Sequence, residues 1–202
     1  MRNMSDDHTH VQEFFAARAS DWDSRFPDDG PAYAAAVAEL RLCEGARVLD
    51  AGCGTGRALA PLRTAVGPSG VVLGVDLTPA MLEAATRAGR GLDGQLLLAD
   101  AAALPLRPES LDAVFAAGLI AHLPHPGENL RELARVVRPG GTLALFHPIG
   151  RAALAARQGR RITPEDLRAE ANLGPLLTGS GWHMTSYVDE DARFLALAVR
   201  QA

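Results

Sequence analysis

The sequence predicts an α/β fold built on a mostly parallel sheet with helices on both faces. Three observations predict it. Short apolar runs alternate with helix-spaced segments between Val48 and Phe146, the pattern of βαβ units with right-handed crossovers. One run, Val48-Leu49-Asp50, leads into Ala51-Gly52-Cys53-Gly54-Thr55-Gly56, where glycine recurs at every second position. Strand, glycine turn and helix open a nucleotide-type site, in which helix amides face a ligand. Finally, two strand-like runs near the end are joined only by Asp189-Glu190-Asp191. That is too short for a crossover and predicts an antiparallel hairpin.

Taken in order, residues 1–10 are polar, lack a signal-peptide core and are expected to fray, His8 and His10 with them. Residues 11–22 are helical, bringing Phe14, Phe15 and Arg18 together; residues 26–31 are a Pro-, Gly- and Asp-rich loop; residues 32–40 are an alanine-rich helix. After the first strand, residues 57–65 have helical spacing with Leu59 and Leu62 on one face. Residues 70–76 are a buried strand, and Thr78-Pro79 caps a helix running to about Ala88. Residues 95–99 and 111–116 are the third and fourth strands, and residues 128–137 a helix. Pro139-Gly140-Gly141 then turns the chain into a fifth strand at 142–146. Thr163-Pro164 opens a helix running towards Leu177 and ended by Gly179-Ser180-Gly181. Strands at 182–188 and 193–199 complete the sheet.

Bulk properties exclude several function classes. The 202 residues suit one domain, residues 1–202. A formal net charge of −4 and no basic block argue against a nucleic-acid substrate. Arg151, Arg157, Arg160 and Arg161, the densest basic patch, read as a solvated face. No apolar run approaches the roughly 18 residues of a membrane span, and the expected location is cytoplasmic. Cys43 and Cys53 form no metal or redox pattern, and no metal site is expected.

The glycine loop does not fit the dinucleotide fingerprint G-x-G-x-x-G, whose third position falls on Arg57 or Leu59. The chain has acid-x-Gly-x-Gly-x-Gly instead, at Asp50, Gly52, Gly54 and Gly56. Asp76 ends the second strand about twenty residues on, the separation βαβ geometry requires. Its carboxylate can accept from both hydroxyls of one ribose. With Gly74-Val75-Asp76-Leu77-Thr78, Asp100-Ala101, Asp112 to Phe115 with His122-Leu123, and Arg138-Pro139-Gly140-Gly141-Thr142-Leu143 in this order, the chain resembles class I S-adenosylmethionine-dependent methyltransferases. It is most similar to the small-molecule branch of ubiquinone and menaquinone biosynthesis enzymes.

That resemblance implies a Rossmann-like seven-stranded sheet of order 3-2-1-4-5-7-6 with the last strand antiparallel. It implies S-adenosyl-L-methionine as cofactor, S-adenosyl-L-homocysteine as product and a small-molecule methyl acceptor, in a monomer or homodimer. The cofactor residues it implies are Asp50, Ala51, Gly52, Cys53, Gly54, Thr55, Gly56, Asp76 and Leu77, then Met81, Asp100, Ala101, Ala117, Gly118 and Trp22. Residues 1–42 become a helical lid, 43–147 the cofactor-binding core and 148–202 the substrate-side segment. Asp112 lies at the start of its strand, away from the ligand edge, and reads as structural. His122 and His147 follow the fourth and fifth strands on the active edge and are candidate general bases; packing or capping is the alternative role. His125 and His183 are left out of the site. The expected chemistry is methyl transfer to an O, N or C nucleophile by in-line displacement. The rivals are a non-catalytic S-adenosylmethionine-binding module and a dinucleotide-dependent oxidoreductase.

Overall fold

A computed structural model describes residues 4–27 and 29–202 of the chain; what the sequence predicts for residues 1–3 lies outside them. Seven strands form one sheet, β1 (Arg47–Ala51), β2 (Val71–Asp76), β3 (Gln95–Leu98), β4 (Leu111–Ala117), β5 (Val137–His147), β6 (Trp182–Glu190) and β7 (Arg193–Arg200). Their order is β3-β2-β1-β4-β5-β7-β6. Strands β1 to β5 pair in parallel, and β7 runs antiparallel to both β5 and β6. The predicted Rossmann-like order and the reversed last strand are both present.

Eight α-helices accompany the strands among the described residues. They are α1 (Met4–Ala16), α2 (Trp22–Arg25), α3 (Gly30–Glu39), α4 (Leu59–Val66), α5 (Pro79–Arg87), α6 (Pro126–Val136), α7 (Arg151–Arg157) and α8 (Glu170–Thr178). The central strands are apolar on both faces, as strands covered by helices on both sides must be. Val48, Val72, Ala113, Phe115, Ala144 and Phe146 face one way, onto Val37 of α3 and Leu59 and Leu62 of α4. Their neighbours Leu49, Val75, Val114, Leu143 and Leu145 face the other way, onto Leu130 and Leu133 of α6 and Leu173 and Leu177 of α8. The alternation has the period of two that a pleated strand imposes. Trp182, fully buried, donates its indole N–H to the Leu130 carbonyl at 2.9 Å and ties the final hairpin to α6.

Several boundaries differ from expectation, each for a local reason. Helix α1 starts at Met4, inside the segment expected to fray, and ends at Ala16, while Trp22 opens the separate α2. Helix α8 starts at Glu170 instead of Thr163. The Asp166 carboxylate accepts from the Arg168 amide at 2.9 Å, closing a local turn that competes with helix. Thr78 occupies the N-cap of α5 without making a side-chain cap bond; Asp76 takes the Thr78 amide instead. Strand β5 begins at Val137, with Leu111 opposite Val137 and Ala113 opposite Thr142, so residues 138–141 arch out as a bulge. Asp112 holds that arch, accepting from Arg138 Nε at 2.6 Å and the Arg47 amide at 2.7 Å. It is structural, as its place at the start of β4 predicts.

Candidate cofactor and acceptor site

The candidate site lies along the carboxyl ends of the parallel strands β1 to β5. Beyond β1 the backbone at Gly52, Gly54 and Gly56 has φ of 67°, 55° and 80°, the left-handed region that glycine occupies without a Cβ penalty. The three positions differ in what surrounds them. A Cβ on Gly52 would stand 2.9 Å from Leu119 Cδ1, and one on Gly56 2.8 Å from Leu59 Cδ1. A Cβ on Gly54 would meet nothing within 4 Å. Gly54 is therefore where the loop backbone is bare and open to a ligand. Cys53 is buried beneath the loop, donates its amide to the Val75 carbonyl at 2.9 Å, and has its thiol pKa pushed up by burial. It fills space.

Two acids flank this loop. Asp76 ends β2 with Oδ2 accepting from the Gly54 amide and Oδ1 from the Thr78 amide, both at 2.8 Å. Burial raises its pKa, and the Thr78 and Gly54 amides act against the rise. Each oxygen retains a lone pair for a further donor. Asp50 is only 1% exposed, and its Oδ2 has no hydrogen-bond partner. Burial, and then the charge of Asp76, pushes its pKa up to about 8. A buried carboxyl with an idle oxygen is costly unless a donor or cation reaches it.

The remaining predicted cofactor residues fall on the same edge. Ala51 and Thr55 are buried in and beside the loop. Leu77 follows Asp76, and Met81 is buried in the first turn of α5. Asp100 follows β3 and accepts from the Ala102 amide at 2.8 Å, with Ala101 buried beside it. Ala117 ends β4, and Gly118 has φ 68° with its amide on the Phe146 carbonyl at 2.8 Å.

The N-terminal helices lie over this edge. Gln12 of α1 donates to the Leu77 carbonyl at 2.8 Å. Phe15 meets His122 edge-on at 5.0 Å and Trp22 at 5.6 Å, and Trp22 meets Phe26 at 5.3 Å. Asp23 of α2 reaches the glycine loop itself: Thr55 Oγ1 donates to it at 2.7 Å, and Arg90 pairs with it at 2.7 Å. Arg57 pairs with Asp29 at 3.2 Å, donates to the Phe26 carbonyl and stands over the Tyr33 ring. Asp23, Arg90 and Gln12 were not singled out from the sequence. Each is a polar side chain outside any motif, and only the fold brings it to the loop.

The two candidate bases lie beyond β4 and at the end of β5. His147 ends β5, and its Nδ1 lies 2.8 Å from the Ile149 carbonyl and 3.1 Å from the Ile149 amide. Burial lowers the pKa of both histidines, and the charge of Arg168 lowers both further. Both are neutral near pH 7, the form a base requires.

The chain matches a family model described as a methyltransferase domain over residues 49–145. Over these residues the chain is thus similar to methyltransferase domains, and to S-adenosylmethionine-dependent methyltransferases among solved structures. A crystal structure of such a methyltransferase from Aquifex aeolicus superposes with a TM-score of 0.70 at 26% identity, over 83% of this chain and 89% of that one. A trans-aconitate 2-methyltransferase of Methylobacterium nodulans is 36% identical over 151 residues, 72% of this chain and 57% of that protein. A ubiquinone/menaquinone biosynthesis C-methyltransferase, UbiE, of Syntrophotalea carbinolica is 39% identical over 114 residues, 55% of this chain and 48% of that protein. The chain thus spans about half the length of these curated relatives. The matched segment holds every loop, strand-end and helix residue named above between Asp50 and Gly118.

The residues present fit S-adenosylmethionine. The idle oxygen of Asp50 suits a cationic ammonium group, Asp76 suits ribose hydroxyls, and the open face of Gly54 permits close backbone approach. Among the described residues, no group of three His, Cys, Asp or Glu side chains is placed to hold a metal ion. Among the same residues no helix is long and apolar enough to cross a membrane.

Proposed function

We propose that this chain transfers a methyl group from S-adenosylmethionine to a small organic acceptor. The observation that carries the reading is the placement of Asp50 and Asp76 beside the open glycine loop, Asp50 with one buried oxygen unpartnered and Asp76 fixed by the Gly54 and Thr78 amides. The relatives above are named for trans-aconitate and for ubiquinone and menaquinone biosynthesis, which supports a small-molecule acceptor. When bound, the cofactor supplies the electrophilic methyl group. The chain's part is to bind, orient and exclude water, which lowers the barrier by proximity and approach geometry.

In this reading Asp76 holds the ribose and Asp50 the ammonium end. Asp100 and the Ala101 backbone meet the base, while the loop from Ala51 to Gly56, with Leu77, Met81, Ala117 and Gly118, shapes the channel. Residues 1–42 act as a lid, with Trp22 and Phe15 as its apolar underside and Asp23 as its tie to the loop. The His147 tautomer with its proton on Nδ1 donates to the Ile149 carbonyl and leaves Nε2 as the basic nitrogen; in this reading His147 or His122 takes the proton from an O–H, N–H or acidic C–H acceptor. Tight S-adenosylhomocysteine binding, together with its formation from S-adenosylmethionine only in the presence of an acceptor, tests this. Tight binding without turnover on phenols, quinols, amines or carboxylates leaves a non-catalytic binding module. NADH binding without S-adenosylmethionine binding would leave an oxidoreductase.

A further inference from the structure

One cation on the acceptor side is not absorbed by the cofactor reading. Arg168 comes from the segment between α7 and α8, and its side chain is only 12% exposed. Its guanidinium stands 5.9 Å from the centre of the Phe194 ring. Phe194 pairs across the sheet with His147, at the active end of β5. The backbone of Arg168 is fixed from two sides: its amide donates to Asp166 Oδ1 at 2.9 Å, and its carbonyl accepts from the Tyr187 hydroxyl at 2.9 Å.

The charge of Arg168 is only loosely met. Its Nε and Nη2 lie 3.4 Å and 3.5 Å from the Asp166 oxygens, longer than the roughly 2.7–2.9 Å of a charge-assisted bond. Asp166 is shared with Arg151 at 3.8 Å, and Arg151 is itself committed to Asp189 at 2.9 Å. Asp29, whose charge reaches His147, is paired with Arg57 at 3.2 Å. The acids around the acceptor side are thus engaged, and both histidines there are neutral. A guanidinium has five N–H donors, and only two of these are directed at Asp166.

We infer that Arg168 anchors an anion on the acceptor side and that the methyl acceptor carries a carboxylate. The inference rests on the methyltransferase reading above and narrows its substrate class. One planar guanidinium fork matches one planar carboxylate in a bidentate pair. The neighbouring Arg151 is committed through Nε to Asp189 at 2.9 Å, so Arg168 is the cation that the acids here leave for a carboxylate. The aromatic rings of Phe15 and Trp22 supply apolar walls for the rest of the acceptor.

The test is calorimetric and begins with S-adenosylhomocysteine. Its failure to bind wild type overturns the methyltransferase reading, and this inference with it. Protein saturated with S-adenosylhomocysteine is then titrated with trans-aconitate, with 4-hydroxybenzoate and with 4-hydroxybenzamide, the neutral match of the second. We expect at least one carboxylate to bind tenfold or more tightly than the amide. Arg168→Gln then weakens that carboxylate by about tenfold or more, the contribution of a hydrogen bond to a charged group. Affinity for S-adenosylhomocysteine stays unchanged. A role in holding the segment alone would not move the ratio of acid to amide. Should the Gln variant not fold, Arg168→Lys, which keeps the charge and loses the fork, decides in its place. Binding of neither carboxylate to the loaded protein, or carboxylate affinity in the variant equal to wild type, contradicts the inference.

Discussion

Asp23 and Thr55 join the N-terminal helices to the glycine loop, the Thr55 hydroxyl donating to Asp23 Oδ1 at 2.7 Å across 32 residues of sequence. Arg90 reinforces the contact from the far side, pairing with the other Asp23 oxygen and donating to the Thr55 carbonyl at 2.5 Å. In the function proposed above, the loop that receives the cofactor is also the catch for the segment that covers it. On that reading cofactor entry requires this contact to open, and its strength sets an exchange rate. Asp23→Ala is expected to raise the dissociation rate of S-adenosylhomocysteine by about three- to tenfold, the worth of one or two hydrogen bonds. Stopped-flow release measures it. An unchanged rate would remove the lid from the account.

Asp50 sets stability against binding. Its carboxyl pKa in the folded protein is raised from 3.8 to about 8. The folded state therefore holds a proton that the unfolded chain releases above about pH 4, and stability falls as pH rises from about 4 to 8. Asp50→Asn removes the cost of ionising the group and is expected to stabilise the free protein at pH 8 by ~2–5 kcal/mol. The same change weakens S-adenosylmethionine binding. Denaturant titration at pH 5 and pH 8 should show the variant's advantage growing with pH. In wild type at pH 7, binding of the cationic cofactor is expected to drive proton release from Asp50. Calorimetry in buffers of different ionisation enthalpy detects it.

Gly52 and Gly54 separate folding from binding within one loop. At Gly52 a Cβ meets the Leu119 side chain at 2.9 Å with φ at 67°, so Gly52→Ala is expected to cost about 1–3 kcal/mol in stability. At Gly54 the φ of 55° remains unfavourable, yet the space is open. Gly54→Ala should cost only about 1 kcal/mol and lose cofactor affinity out of proportion. Melting temperature against Kd for the two variants shows whether the effects divide this way.

The histidines give a pH signature. Burial lowers the pKa of both below the ordinary 6.5, and a base works in its neutral form. Turnover is therefore expected to be flat above pH 6.5 and to fall only as pH drops through the lowered value. His122→Ala or His147→Ala should reduce kcat by about a hundredfold or more if that residue takes the proton. A few-fold effect from both would leave the pair as packing residues around Phe15 and Ile149.

Much of this arrangement was legible in the sequence because it is written in local chemistry. The run Asp50 to Gly56 needs positive φ at alternate residues, which glycine reports directly. Asp76 and Asp100 end apolar runs, so strand ends and acids could be read together. The two-sided apolarity of Val48-Leu49 and of Leu143 to Phe146 foretold helices on both faces. The missed features are long-range. Nothing near Asp23 signals that it meets Thr55 and Arg90, since an exposed helical aspartate looks the same without a partner. The late start of α8 was hidden because Thr163-Pro164 is a sound cap by composition, while the Asp166 turn beyond it closes on a backbone amide. Arg168 had no motif at all, and its setting beside Phe194 and His147 exists only once β7 lies against β5.

The central claim is that Asp76, held by the Gly54 and Thr78 amides, binds the ribose of S-adenosylmethionine. Calorimetry of S-adenosylhomocysteine with wild type and Asp76→Ala tests it most directly. The account predicts clear binding to wild type and a loss of about tenfold or more in the variant, from hydrogen bonds to a charged group. Equal affinity in the two proteins would contradict it.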